Sequence, residues 1–279
     1  MKSIYHSRGF WRAGVGPVWN HFQLWAEDPA YRALHRFHGQ LRGLPRRVGE
    51  KVRFDGRPIH LCDGPSFLSA WDEVFVNRIY DVGPLPPRPR LIDVGANIGL
   101  AALYWRWRYG PVRYLGFEPD PDIAAVCHEN LAAWAVGGEL VRAAVGPRAG
   151  QAAFAPDGAD GGRTIEFGVG APIATIPVCI EELAPRIDGP VDLLKIDIEG
   201  GERDLLPSLA PVIGRVHRLF VEWHCPSVGP SGLGAAVERM EGWGFTVLVQ
   251  AVAWGERPLA PDTDGPLGGQ QLNLFAVRR

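Results

Sequence analysis

Cysteine is scarce in this chain. Cys62, Cys127, Cys179 and Cys225 lie far apart, and no Cys-x-x-Cys pair is present. That spacing speaks against a disulfide frame or a cysteine zinc site and for buried thiols in a reducing compartment, so a cytoplasmic location is expected. An excess of one charge is lacking too: 29 Lys+Arg against 31 Asp+Glu leave a formal net charge of -2, which gives no electrostatic case for a nucleic-acid partner. No apolar window approaches the length that crosses a bilayer. The first twenty residues are broken by Arg8, Arg12 and Asn20 and lack the apolar core of a signal peptide. Internal repeats and low-complexity tracts are absent. What is present, 279 residues of which 46% are hydrophobic, fits one large α/β domain with a modest extension.

The chain divides near residue 85 at Gly83-Pro84-Leu85-Pro86-Pro87-Arg88-Pro89, a stretch that cannot be helical and reads as a stiff lead-in. Residues 1–85 are therefore expected to cap a domain spanning 86–279. Within the leader, Tyr31, Leu34, Phe37, His38 and Leu41 are spaced for a helix over Glu27 to Arg42. Val52 to Cys62 alternates like a hairpin around Asp55-Gly56, and Ser66 to Tyr80 returns to helical spacing. Phe67, Trp71 and Phe75 at that spacing read as core. Arg32, Arg36, Arg42, Arg46, Arg47, Lys51 and Arg53 read as the solvated side of the leader.

Beyond residue 90, strands and helices alternate. Strands are expected at Leu91–Val94, Val112–Glu118, Leu140–Val145, Ile176–Ile180, Val191–Asp197, Arg218–Glu222, Phe245–Gln250 and Leu272–Val277. Helices are expected at Asn97–Arg108, at Pro121 to Trp134 with proline at its first position, after Gly200, and at Val237–Trp243. The Gly/Ala/Pro-rich interval Gly146 to Pro172 reads as loops and an extra hairpin. Such alternation makes a parallel sheet whose ligands sit at the carboxyl ends of the strands, where Asp93, Glu118, Ala144, Asp197 and Glu222 are placed.

Glycine spacing separates the candidate ligands. Asp93-Val94-Gly95-Ala96-Asn97-Ile98-Gly99 is Asp-x-Gly-x-Asn-x-Gly, not the G-x-G-x-x-G of a dinucleotide site. Leu100 and Ala101 follow directly, without the third glycine that a nicotinamide-dependent oxidoreductase would carry. An acid at the mouth of the turn repels a pyrophosphate but suits a ligand bearing an amino group and a sulfonium, which points to S-adenosyl-L-methionine. Glu118, ending the second strand, is placed to accept both ribose hydroxyls.

Asp93 to Gly99, Phe117-Glu118-Pro119-Asp120, and Leu194-Lys195-Ile196-Asp197-Ile198-Glu199-Gly200-Gly201-Glu202 resemble, in order and spacing, the FkbM family of class I methyltransferases. Val221-Glu222-Trp223-His224 resembles the acidic end of that family's fifth strand. The likeness runs over roughly residues 66 to 250. It implies an α/β, Rossmann-like, mostly parallel seven-stranded sheet with the last strand antiparallel, here under an N-terminal α+β cap. It also implies S-adenosylmethionine as cofactor and O-methylation of a sugar, glycan or polyketide-like small molecule. The cofactor-binding set is then Asp93, Gly95, Ala96, Asn97, Gly99, Glu118, Pro119, Asp120, Ala144 and Asp197. Many class I enzymes hold the adenine amine with an acid near the end of the third strand. Here Ala143-Ala144-Val145-Gly146 stands there, leaving that task to backbone groups and the Asp120 side chain.

Methyl transfer requires an oxygen aligned with the methyl and a group to take its proton, alignment being the larger contribution. Asp197, His224, Glu199 and Glu222 are the candidate catalytic residues, with Asp197 the first choice of base and His224 the second. The same four residues could hold a divalent cation, although nothing in their spacing demands a metal. Lys195, inside an apolar strand, needs a carboxylate partner, Asp93 or Glu222. Glu202 reads as a charge at a helix N-terminus. A non-catalytic binding relative is the remaining alternative, but it would be expected to have lost the strand-end acids, which are all present.

Overall fold

The computed structural model describes residues 16–156, 162–165, 175–225, 230–252 and 271–278. The parts of the Gly146–Pro172 interval numbered 157–161 and 166–172 therefore lie outside the described residues.

The leader begins with α1 (Gly16–Glu27), a helix absent from the sequence reading, and α2 (Pro29–Leu41). Asp28 caps α2 by accepting the Ala30 and Tyr31 amides, and proline follows where its missing N–H costs nothing. β1 (Glu50–Phe54) and β2 (Arg57–Leu61) form the hairpin, turning through Asp55 and Gly56, both at positive φ, as a two-residue hairpin turn requires. Asp63 caps α3 (Gly64–Trp71), which runs on through one π-helical turn, Asp72–Val76. Single π-turns of this kind re-aim side chains and recur at functional sites.

The main sheet then follows. β3 (Arg90–Val94), α4 (Leu100–Tyr109), β4 (Arg113–Phe117), α5 (Pro121–Ala133) and β5 (Gly138–Val141) build one half. β6 (Ala144–Gly146), β7 (Gly150–Ala155), β8 (Arg163–Ile165) and β9 (Ile176–Glu182) form a separate four-stranded sheet in the order β6-β9-β7-β8. The chain returns with β10 (Leu193–Ile196), α6 (Glu202–Ser208), β11 (Arg218–His224), α7 (Leu233–Gly242), β12 (Phe245–Ala251) and β13 (Gln271–Arg278). The seven-stranded order is β12-β13-β11-β10-β3-β4-β5. β13 runs antiparallel to both neighbours and the other pairings are parallel. This is the expected Rossmann-like fold.

One expectation needs correction. The run Leu140–Val145 is not one strand: β5 ends at Val141 in the main sheet and β6 starts at Ala144 in the second. Ala144 thus opens a strand of the smaller sheet rather than closing a core strand. The strand expected at Ile176–Ile180 is present as part of β9, in the smaller sheet.

Apolar layers cover both faces of the main sheet. On one, Phe37, Phe54, Trp71, Phe75, Trp105 and Trp134 join the leader to α4 and α5. Phe67, Trp71 and Phe75 are core, as their spacing foretells. Trp71 stacks on Phe75 at 3.9 Å between centroids, and its indole N–H donates to the Ala30 carbonyl at 3.0 Å, satisfying the one polar atom of a buried ring. On the other face Ile92, Leu194, Ile196, Leu205, Trp223 and Met240 pack together. Among the described residues no helix is long and apolar enough to cross a membrane.

β3 lies between β4 and β10, so the sheet order reverses between β3 and β10. Ligands of open α/β sheets bind outside the strand ends at such a reversal. The loop after β3 and the residues after β10 meet there.

Candidate active site

The loop after β3 is shaped by backbone constraints. Gly95 (φ 82°), Asn97 (φ 48°) and Gly99 (φ 87°) all take left-handed conformations, and the Gly95 and Ala96 amides donate to the Phe117 carbonyl at 3.1 and 2.8 Å. A Cβ on Gly95 would come within 1.7 Å of the Asp197 carbonyl oxygen, so only glycine lets β3 and β10 meet here. At Gly99 the limit is the Cys127 sulfur, 3.0 Å from such a Cβ.

Glu118 follows β4. Its Oε2 accepts the Asn97 amide at 2.8 Å and its Oε1 accepts the Asp120 amide at 2.9 Å, which fixes the carboxylate plane. Burial pushes its pKa up to about 7, against the two amides that pull it down. Asp120 caps α5 by accepting the Asp122 and Ile123 amides.

Lys195 ties the two motifs together. Its Nζ donates to the Gly95 carbonyl at 2.7 Å and lies 3.1 Å from Asp93 Oδ1 and 3.5 Å from Asp197 Oδ2. Of the two expected partners, Asp93 is the one in contact. Burial works against the ammonium, but the Asp93 and Asp197 charges outweigh it and hold Lys195 protonated well above the usual lysine range. Asp93 is completely buried and also accepts the Tyr114 hydroxyl at 3.1 Å. Its carboxylate therefore serves the ion pair, and it lines neither of the clefts described below, unlike the cofactor contact expected of it.

The first cleft is lined by Val94, Gly95, Asn97, Glu118, Pro119, Asp120, Ala144 and Asp197, with apolar Ile123, Val145 and Phe154. Ala96 and Gly99 shape the loop behind it. The second cleft, about 370 Å3, has Cys62, Ser66, Phe67, Glu73 and Tyr80 of the leader on one side. Ala96, Lys195, Glu222 and Gln271 line its other side. Gly95, Asn97, Asp197 and Glu199 line both clefts.

The ends of β10 and β11 form an acid-rich wall. Glu199, at φ 57°, lies 3.3 Å from His224 Nε2. His224 Nδ1 meets Glu202 Oε1 at 3.1 Å, Gln271 lies 3.1 Å from Nε2, and Glu222 is 3.7 Å from Nε2. Burial lowers the imidazole pKa, but the Glu202 hydrogen bond and the surrounding carboxylates push it up to about 9. Burial, with Asp197 and Glu73 close by, pushes Glu222 up to about 8. His224 borders neither cleft.

Glu202 does more than its position at a helix start implies. It is 1% exposed and accepts the Ile198 and Gly200 amides as well as facing His224, so it folds the turn after Asp197 and orients the imidazole. Glu73, Tyr80, Val145 and Phe154 were also missed. Glu73 carried a faint signal as an acid on an otherwise apolar helical stretch; the others carried none.

Residues 93–246 match the model of the Methyltransferase FkbM domain. Methyltransferase sdnD of Sordaria araneosa is 42% identical over 62 residues, 22% of this chain and only 24% of that one. Methyltransferase 1 of Beauveria bassiana (strain ARSEF 2860) is 26% identical over 209 residues, covering 65% of this chain and 82% of its own. The 31-O-demethyl-FK506 methyltransferase FkbM of Streptomyces tacrolimicus is 28% identical over 251 residues, covering 74% and 88%. Among solved structures, Methyltransferase FkbM from Methylobacillus flagellatus KT aligns over 88% of this chain and 59% of its own at 14% identity and a TM-score of 0.44. The domain match spans more than half of the chain, from the acid of the first motif to the strand after α7, and the chain belongs to the FkbM methyltransferase family.

Proposed function

We propose that this methyltransferase moves a methyl group from S-adenosylmethionine to a hydroxyl oxygen of a sugar, glycan or polyketide-like small molecule. The observation that carries the reading is the wall common to the two clefts: Gly95, Asn97, Asp197 and Glu199 face both, as residues must where a group passes from donor to acceptor. The name of the Streptomyces tacrolimicus relative, a methyltransferase of 31-O-demethyl-FK506, supports oxygen as the acceptor atom. The family membership disfavours the nicotinamide alternative.

The first cleft fits the cofactor. Glu118, a buried carboxylate with both oxygens oriented by backbone amides, would take the ribose hydroxyls. Ile123, Val145 and Phe154 would flank the adenine, with Pro119, Asp120 and Ala144 at its edge. Asp120 spends one carboxylate oxygen on its helix cap, which leaves the other for this task. Asn97 and Asp197 would face the amino-acid end, with Gly95, Ala96 and Gly99 fixing the loop beneath it. Asp93 would act from behind, through Lys195. When bound, S-adenosylmethionine supplies an electrophilic methyl on a sulfonium. The leader, residues 1–85, would cap the acceptor cleft through Ser66, Phe67, Glu73 and Tyr80.

Transfer would join the acceptor oxygen to the methyl carbon as the S–C bond breaks, the electron pair staying on sulfur. The acceptor's proton would pass to Asp197, which with Glu199 lines both clefts. His224 and Glu202 would position Glu199. Glu222, pushed up to about 8, is mostly protonated near neutrality and so is less available to accept the proton. Asp197→Asn should lower kcat by roughly a hundredfold or more in an assay of S-adenosylhomocysteine release with a panel of hydroxyl acceptors. Unchanged turnover in that variant, or products methylated only on nitrogen or carbon, would overturn the reading.

A further inference from the structure

We propose, on the methyltransferase reading above, that Tyr80 and Glu73 hold the acceptor by a second hydroxyl, distinct from the one that is methylated, so that the enzyme takes polyols in preference to isolated alcohols. A buried phenol ordinarily finds a hydrogen-bond partner. Tyr114 donates to Asp93 at 3.1 Å, and Tyr109 donates to Asp81 at 3.2 Å. Tyr80 is only 5% exposed, yet its hydroxyl makes no hydrogen bond to a described residue. It lines the acceptor cleft, where a ligand would supply the missing partner.

Packing fixes both groups before a ligand arrives. The Tyr80 ring meets Phe220 of β11 edge-on at 4.9 Å and Trp105 of α4 at 6.0 Å between centroids. Two departures from regular backbone shape this wall. The π-helical turn carries Glu73, and Arg78, at φ 56°, turns the chain just ahead of Tyr80. Asn273 of β13, itself buried, donates its amide to Glu73 Oε1 at 3.3 Å, which leaves Oε2 for a ligand. Glu73, Tyr80 and Asp197 all line the same cleft. Lys195 Nζ lies 5.9 Å from the centre of the Tyr80 ring and 3.5 Å from Asp197 Oδ2, so the ring and the proposed base stand beside one ammonium.

Burial, with the charges of Asp197 and Glu73 close by, holds the phenol protonated, so it offers an O–H while Glu73 offers an oxygen. A hydroxyl both accepts and donates and can meet the two together. A carboxylate or phosphate has no proton to give an ionised Glu73. A hydrocarbon edge would leave both groups unpaired, the penalty by which a polar site rejects an analogue lacking one hydroxyl.

Two measurements on the full chain test this. The first is thermal unfolding of Tyr80→Phe beside Tyr109→Phe, whose lost hydroxyl also accepts the Val82 amide at 2.9 Å. A hydroxyl without a protein partner adds nothing to folding, so Tyr80→Phe should keep the midpoint of the unmodified chain or raise it, while Tyr109→Phe should lower it. Equal falls in the two variants would overturn the proposal. The second is turnover of methyl glucoside, methyl galactoside and inositol beside cyclohexanol, followed by S-adenosylhomocysteine release and product mass. The best polyol should exceed cyclohexanol at least about tenfold in kcat/KM. Tyr80→Phe and Glu73→Leu should raise its KM at least about tenfold with kcat little changed, and cofactor affinity by calorimetry should stay the same. Equal turnover of cyclohexanol, or no polyol turned over while S-adenosylmethionine binds, would overturn the proposal. Failure to bind S-adenosylmethionine would count instead against the methyltransferase reading, and the unfolding comparison would still decide whether the Tyr80 hydroxyl is free for a ligand.

Discussion

Lys195→Met isolates the interaction that holds the two motifs in register. The substitution removes the ammonium 3.1 Å from Asp93 and leaves a completely buried carboxyl with the Tyr114 hydroxyl at 3.1 Å. Breaking a buried pair from one side costs about 3–5 kcal/mol, a large fraction of the roughly 5–15 kcal/mol that holds a folded chain. Burial already raises the Asp93 pKa, opposed by Lys195 and Tyr114, so removing Lys195 raises it further above the unfolded value. A carboxyl with a raised folded pKa contributes stability that is present below its unfolded pKa and is lost as pH rises through the folded pKa. The penalty of Lys195→Met should therefore grow from pH 5 to pH 8. Adding Asp93→Asn removes the stranded charge and should restore part of the loss, with coupling of about 1–3 kcal/mol. Restoration stays partial because Lys195 also holds the Gly95 carbonyl. Urea unfolding of the unmodified chain, both single variants and the double variant at pH 5 and pH 8 gives the cycle. A single-variant loss below about 1 kcal/mol, or losses that simply add, would refute the reasoning.

Two further predictions follow from the site. Glu118 sits at about 7, and ribose hydroxyls donate to its ionised form, so cofactor affinity should be full above pH 8. It should weaken as pH falls through 7, approaching tenfold per unit; a flat calorimetric profile from pH 6 to 8.5 would contradict this. Gly95→Ala forces a Cβ to within 1.7 Å of the Asp197 carbonyl at φ 82° and should cost several kcal/mol, whereas Gly39→Ala, inside α2 with nothing within 4 Å, should be neutral or stabilising by about 0.5–1 kcal/mol. Equal urea midpoints for the two variants would contradict the close approach of β3 and β10.

The strands of the main sheet were legible because each is a short apolar run that ends in a polar or glycine-rich turn. Asp93, Glu118, Asp197 and Glu222 could be placed at strand ends on that basis alone. The passage from β5 to β6 was not legible, since Leu140 to Val145 stays apolar but for Arg142 while the chain changes sheets between Val141 and Ala144. The π-turn at Asp72–Val76 was hidden for a related reason: Trp71, Val74 and Phe75 keep helical spacing whether the hydrogen bonds close at four residues or five. Glu202 and His224 are 22 positions apart, and only the crossover from α6 to β11 brings them to 3.1 Å. No local pattern records such a contact. Asp93 was given a ligand contact because the motif puts an acid at the loop; its complete burial against Lys195 and Tyr114 depends on two other strands.

Calorimetric titration of S-adenosylmethionine and S-adenosylhomocysteine into the purified protein, with Glu118→Ala in parallel, tests the central claim most directly. The account predicts micromolar binding of both, weakened at least tenfold in the variant, about 1.4 kcal/mol. No heat from either ligand while NADH binds would contradict it.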